Sequence, residues 1–222
     1  GKIIWYENNG SESFTANTIA NADEAKSVYA IDIDNDGDVD VLSASESDDG
    51  ITWYENNGSE SFTAYAIANP SGTAYSVFAI DIDTDGDIDV LSASYNSLAW
   101  YENTTEKGQV GSWTAADITT STNGAKSVFA IDVDQDGDID VLSASRDDDK
   151  IAWYENDGSQ SFTAHTITTL ARSVWSVYAI DVDSDGDIDV LSASVKEDKI
   201  AWYENNGSES FTANTITTSA DG

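Results

Sequence analysis

Five aspartates alternate around one glycine in IDIDNDGDVDVLSAS, which starts at Ile31. The pattern returns as IDIDTDGDIDVLSAS from Ile80, IDVDQDGDIDVLSAS from Ile131 and IDVDSDGDIDVLSAS from Ile180. Carboxylates this close repel one another unless a cation sits among them. Oxygen ligands at alternate positions, with a glycine permitting a sharp turn at the sixth, suit a hard cation, calcium above all. The candidate ligands are Asp32, Asp34, Asp36, Asp38 and Asp40 in the first loop and Asp81, Asp83, Asp85, Asp87 and Asp89 in the second. Asp132, Asp134, Asp136, Asp138 and Asp140 form the third set, and Asp181, Asp183, Asp185, Asp187 and Asp189 the fourth. One calcium ion is expected in each loop, about four in all.

An EF-hand would present a similar aspartate run, but its twelfth position is a bidentate glutamate between two helices. Here that position is Ser43, Ser92, Ser143 or Ser192, and the flanks read as strands. The loops recur every 49–51 residues, and a second motif, WYEN, recurs at Trp5, Trp53, Trp100, Trp153 and Trp202. A period near 50 predicts a repeat architecture. Within one unit the expected strands are A (Ser27 to Asp32), B (Asp40 to Ser45), C (Ile51 to Asn56) and D (Ser61 to Ile67). Asn57-Gly58 between C and D predicts a type I′ hairpin with both central residues at positive φ. The third unit replaces this turn with a longer loop from Asn103 to Gly111. β-branched and aromatic residues dominate and helical periodicity is absent. The fold class is therefore all-β: a β-propeller of four-stranded antiparallel blades, with four complete blades and a half blade. The expected divisions are a half blade over 1–20 (strands C and D only) and blades over 21–68, 69–119, 120–168 and 169–222.

The string D-x-D-x-D-G-D-x-D-V-L between short strands resembles the FG-GAP or VCBS repeats of integrin-α-like propellers, over four loops and nearly the whole chain. The resemblance implies calcium in the loop joining strands A and B. Asp32, Asp34, Asp36 and Asp40 would give side-chain oxygens and Asp38 its backbone carbonyl, with the same pattern in the other loops. It also implies an extracellular or cell-surface setting, since such propellers occur in adhesion receptors, lectins and secreted enzymes.

The formal charge of −33 would still be −25 with four calcium ions bound, which argues against nucleic acid and against an anionic membrane. No apolar run approaches the roughly 20 residues of a membrane span, so no membrane insertion is expected. Without cysteine, and with His165 alone and expected to be an exposed substitution on strand D, no catalytic constellation is present and no enzyme is expected.

In an up-and-down blade the A–B loops and C–D turns share one face, and the B–C and D–A loops share the other. The first face repeats almost unchanged; the second varies. Just before strand A the varied face offers Lys26, Tyr75, Lys126 and Trp175. Tyr75 and Trp175 could stack on sugar rings or pack on a neighbouring blade. The WYEN tryptophans are expected in the core between blades, with Tyr and Glu of the motif facing the rim. The expected role is a binding or adhesion module for glycans or a surface protein. The alternatives are an architectural repeat of a surface layer or filament, or a non-catalytic module of a secreted polysaccharide-active enzyme. The absence of methionine and the orphan hairpin lead us to expect a piece of something longer, or a ring completed by further blades from the same polypeptide or another copy.

Overall fold

The structure is a computed structural model that describes residues 1–47, 50–70, 72–104 and 111–220. Its strands form one two-stranded and four four-stranded antiparallel sheets. The pair is β1 (Lys2–Asn8) with β2 (Phe14–Asn21). The first full blade holds β3 (Ala25–Ile31), β4 (Asp40–Ser45), β5 (Ile51–Asn56) and β6 (Phe62–Ala68). The second holds β7 (Ala74–Ile80), β8 (Asp89–Ser94), β9 (Ser97–Asn103) and β10 (Trp113–Thr119). In the third are β11 (Ala125–Ile131), β12 (Asp140–Ser145), β13 (Lys150–Asn156) and β14 (Phe162–Thr168). The fourth closes the series with β15 (Val174–Ile180), β16 (Asp189–Ser194), β17 (Lys199–Asn205) and β18 (Phe211–Thr217). Strands pair in sequence order within each blade, so the chain is a β-propeller of up-and-down blades.

The inner strands lie side by side in the series β3, β7, β11, β15. Serine hydroxyls join them: Ser27 accepts the Val77 N–H (3.5 Å), Ser76 that of Val128 (3.4 Å) and Ser127 that of Val177 (3.3 Å). Beside these bonds Tyr29, Phe78, Phe129 and Tyr178 pass edge-tilted rings from blade to blade, at centroid separations of 4.9, 5.0 and 4.7 Å. Such offset ring pairs add about 0.5–1.5 kcal/mol each beyond burial.

The core lies between blades. Trp53 packs with Val77, Val90 and Tyr101 of the next blade, and Trp153 meets Val177, Val190 and Tyr203 in the same way. Strand C is thus covered on both faces: its tryptophan meets the following blade, its tyrosine the preceding one. This corrects the expectation that the WYEN tyrosine faces the rim, since Tyr54, Tyr101, Tyr154 and Tyr203 are all buried. Alternation along a strand predicts one wet face only when a sheet has one covered face, and a blade has two. Among the described residues the series is open at both ends: β1–β2 covers only the outer part of the first blade, and no blade follows the last. Val28 is 58% exposed where Val77, Val128 and Val177 are each 4% exposed, and Tyr178, Ile180 and Val182 stand open on the last blade.

The C–D connection differs from expectation. Asn56 pairs with Phe62, leaving five residues between the strands, and positive φ falls on Gly58 (75°) and Glu60 (59°). The Asn56 and Asn57 side chains instead accept the backbone N–H groups of Gly58 (3.2 Å) and Ser59 (3.0 Å). Asparagine here caps the turn through its side chain, and the left-handed positions fall on Gly58 and Glu60 rather than on Asn57. Of the longer loop expected from Asn103 to Gly111, residues 105–110 lie outside the described residues.

Candidate functional site

Each aspartate loop leaves the sheet where strand A meets a block of carboxylates that no apolar neighbour can cover. In the first loop, carboxylate oxygens of Asp32, Asp34 and Asp36 lie within 4.8 Å of one another. The same holds for Asp81, Asp83 and Asp85, for Asp132, Asp134 and Asp136, and for Asp181, Asp183 and Asp189. The backbone coils around these oxygens. Gly37 donates its N–H to Asp32 Oδ2 (2.9 Å) and Asp36 donates to Asp34 Oδ1 (3.2 Å). The coil needs φ of 57° at Asn35 and 103° at Gly37, the left-handed region where glycine costs least.

Burial, and then the nearby Asp36, pushes the Asp34 carboxyl above its usual range; burial likewise raises Asp83, Asp134 and Asp183. Asp81 Oδ1 and Asp132 Oδ1 are buried and accept no hydrogen bond within the protein. Anionic oxygens buried without a partner are costly. An all-oxygen cluster with orphaned oxygens therefore fits a hard metal ion.

The fifth aspartate has a second task. Asp40 is fully buried; its Oδ2 accepts the Ile33 N–H (3.2 Å) and its Oδ1 that of Asn56 (2.7 Å). Burial outweighs both donors and pushes its carboxyl up to about 6, with Asp89 at about 7 and Asp140 at about 6. Asp189, which holds the equivalent bonds, also belongs to the carboxylate cluster of its loop. The fourth carboxylate turns elsewhere: a Cβ on Gly58 would fall 2.4 Å from Asp38 Oδ2. Asp138 and Asp187 crowd Gly158 and Gly207 in the same manner, so A–B loops and C–D turns do share a face.

Sequence reasoning missed the asparagine of WYEN. Asn56 Nδ2 donates to the Val39 carbonyl (3.1 Å), and Asn103, Asn156 and Asn205 repeat that bond. Each clamps the end of an aspartate loop to strand C. Its recurrence in every WYEN was the available signal. Neighbouring loops also touch: Asn35 Nδ2 donates to the Gly86 carbonyl (3.4 Å), and Gln135 Nε2 to that of Gly186.

At the opposite end, B–C and D–A loops meet, as where Tyr95 donates its N–H to the Thr73 carbonyl (3.1 Å). Tyr75, Lys126 and Trp175, expected just before strand A, lie inside β7, β11 and β15. The radial arrangement brings them together. Lys126 Nζ sits 3.0 Å from the Tyr75 ring centroid and 5.4 Å from that of Trp175. With Lys26, Ser27 and Ser76 these three line a cavity of about 320 Å³. Trp175 is 45% exposed, and a second cavity of about 430 Å³ opens on it beside Arg146 and Lys196. His165 is half-exposed; it stacks on Trp153 (4.6 Å between centroids) with Nε2 2.7 Å from Glu155 Oε2.

The family model for the FG-GAP-like repeat matches residues 1–43, 32–92, 81–143 and 132–192. No curated protein sequence matches the chain. Among solved structures it is similar to an Agrocybe aegerita lectin that specifically recognises non-reducing terminal N-acetylglucosamine (17% identity, TM-score 0.65, covering 98% of this chain and 61% of that one). A Lactobacillus plantarum protein shows 13% identity and a TM-score of 0.64, covering 94% of this chain and 60% of that one. An auxiliary nutrient binding protein from Bacteroides ovatus shows 10% identity and a TM-score of 0.58, covering 90% and 49%. At these identities the likeness is one of fold, and the chain spans about half to three fifths of each.

Proposed function

This chain belongs to the FG-GAP-like repeat family, and from that premise we propose a calcium-stabilised extracellular propeller that binds glycans or a surface protein and has no catalytic activity. The observation that carries the reading is the contrast between its two ends. One end repeats four aspartate loops; the other gathers Tyr75, Lys126 and Trp175 from three successive blades around one cavity. Calcium supplies the positive charge that the loops lack. Asp32, Asp34 and Asp36 hold it in the first loop, with Asp40 tying that loop to strands B and C. Rings on a rigid scaffold, presented among varied loops, suit recognition. Recognition of N-acetylglucosamine by the Agrocybe lectin and nutrient binding by the Bacteroides protein support a binding role on this architecture.

The open end faces support a second kind of partner. Val28 on one end and Val182 on the other occupy positions that inner blades bury. Further blades, from the same polypeptide or from another copy, would cover them.

A glycan array probed with the calcium-loaded chain tests the reading, alongside the chelated chain and a Tyr75→Ala/Trp175→Ala double variant. The double change should abolish binding while the calcium-dependent melt is kept. Binding that survives it but fails on altering the Asn57-Gly58 turn would put recognition at the aspartate end.

A further inference from the structure

Lys126 is 7% exposed, yet among the described residues its ammonium meets no carboxylate and no carbonyl. Its surroundings are ring faces: Tyr75 at 3.0 Å, Trp175 at 5.4 Å and Tyr95 at 5.8 Å from the centroids. The nearby acids are already engaged. Glu46 pairs with Lys26; Asp147 accepts from Arg146 Nε (2.7 Å) and from the Tyr95 hydroxyl (2.8 Å). In a chain with 42 acidic and 9 basic residues, a buried cation left unpaired stands out. Ring faces offset part of its charge. They do not satisfy its three N–H donors, which open on the cavity that Lys126 lines.

Resting on the glycan-binding reading, we propose that this cavity takes a single uronic acid residue, its carboxylate on Lys126 Nζ, which Tyr75 backs, and its ring against Trp175. Its volume of about 320 Å³ is at the small end for ligand sites and suits one sugar ring. A neutral hydroxyl would fill a donor but leave the charge, whereas a charge-assisted bond is roughly twice as strong as a neutral one. The exposed indole offers a flat apolar face to sugar C–H groups, which an acidic peptide does not match. The net charge of −33 repels a polyanion, so the ligand carries an isolated or terminal uronate within an otherwise neutral glycan.

The test is titration of the full calcium-loaded chain with methyl β-D-glucuronide and methyl β-D-glucoside, followed by NMR. Native protein, Lys126→Met and Trp175→Ala are compared, with a thermal melt to confirm that each is folded. The native chain should prefer the glucuronide about tenfold. Lys126→Met keeps the length of the stem and should bring the two sugars to equal affinity; Trp175→Ala should weaken both. Equal binding of the two sugars by the native chain, or a preference that survives Lys126→Met, overturns the proposal while leaving glycan binding in place. Failure of both sugars overturns the uronate assignment and leaves the glycan array to decide the binding reading, and binding of a short oligo-glutamate instead would overturn it in favour of an acidic peptide.

Discussion

Asp40 Oδ1 accepts the backbone N–H of Asn56, sixteen residues on, at 2.7 Å, and Asp89, Asp140 and Asp189 repeat the bond with Asn103, Asn156 and Asn205. One carboxylate thereby fixes the exit of the aspartate loop and the end of strand C. Asp40→Ala should orphan two backbone donors, Ile33 and Asn56, at about 1–3 kcal/mol each. Denaturant unfolding in saturating calcium measures this. A loss below about 1 kcal/mol would mean that water replaces the carboxylate at little cost.

Without metal, the carboxyls of Asp40 and Asp140 stand at about 6 and that of Asp89 at about 7, against 3.8 in an unfolded chain. The folded state binds these protons more tightly. Their contribution to stability is complete below about pH 3.8 and is lost as pH rises through 6 to 7. The calcium-free melting temperature should therefore fall from about pH 5 to about pH 8, and Asp89→Asn should flatten part of that slope. A calcium-free melting temperature that climbs over this window would contradict the assignment.

Chelation should lower the melting temperature by roughly ten degrees or more, because a ligand at a hundredfold excess over its Kd adds about 2.7 kcal/mol per site. Magnesium should restore little, as it favours tighter octahedral sites. Asp36→Ala should remove one ion of the four counted by calorimetry or native mass spectrometry and leave the other loops loaded. An unchanged melt in excess chelator refutes calcium as the holding element.

The uncovered end faces predict self-association. Exposed apolar surface costs about 25 cal/mol for each Å² kept wet, and Val28, Ile180 and Val182 lie on faces that inner blades bury. Sedimentation of the calcium-loaded chain should show concentration-dependent oligomers, and Tyr178→Lys with Val28→Lys should return it to monomer. A sharp monomer whose β1–β2 hairpin resists protease would count against this.

Most of the fold was legible because its signals are local and repeated. Strand B, from Asp40 to Ser45, and strand C, from Ile51 to Asn56, fall where the sequence placed them. Strand A begins earlier, at Ala25, past a register shift between Ala25 and Ser27 that no periodicity announces. Tyr54 was misread because a blade has two covered faces, and pattern rules assume one. Lys126 was visible only as a loop residue. Its place over Tyr75, 51 positions back, depends on how blades stand around the axis, which no window of sequence reports.

The tryptophan face of each blade fits the tyrosine face of the next with nearly the same residues, as Trp53 on Tyr101 and Trp153 on Tyr203, though Trp113 replaces the phenylalanine found at Phe162 and Phe211. Adjacent repeats therefore present nearly the same junction. Recombination between two near-identical copies can add or delete about 50 residues without creating a mismatched junction. Genes of this kind should vary in length in whole-blade steps. The pocket that needs Tyr75, Lys126 and Trp175 in consecutive blades would be lost or doubled by the same events, so binding would change by copy number as readily as by point substitution.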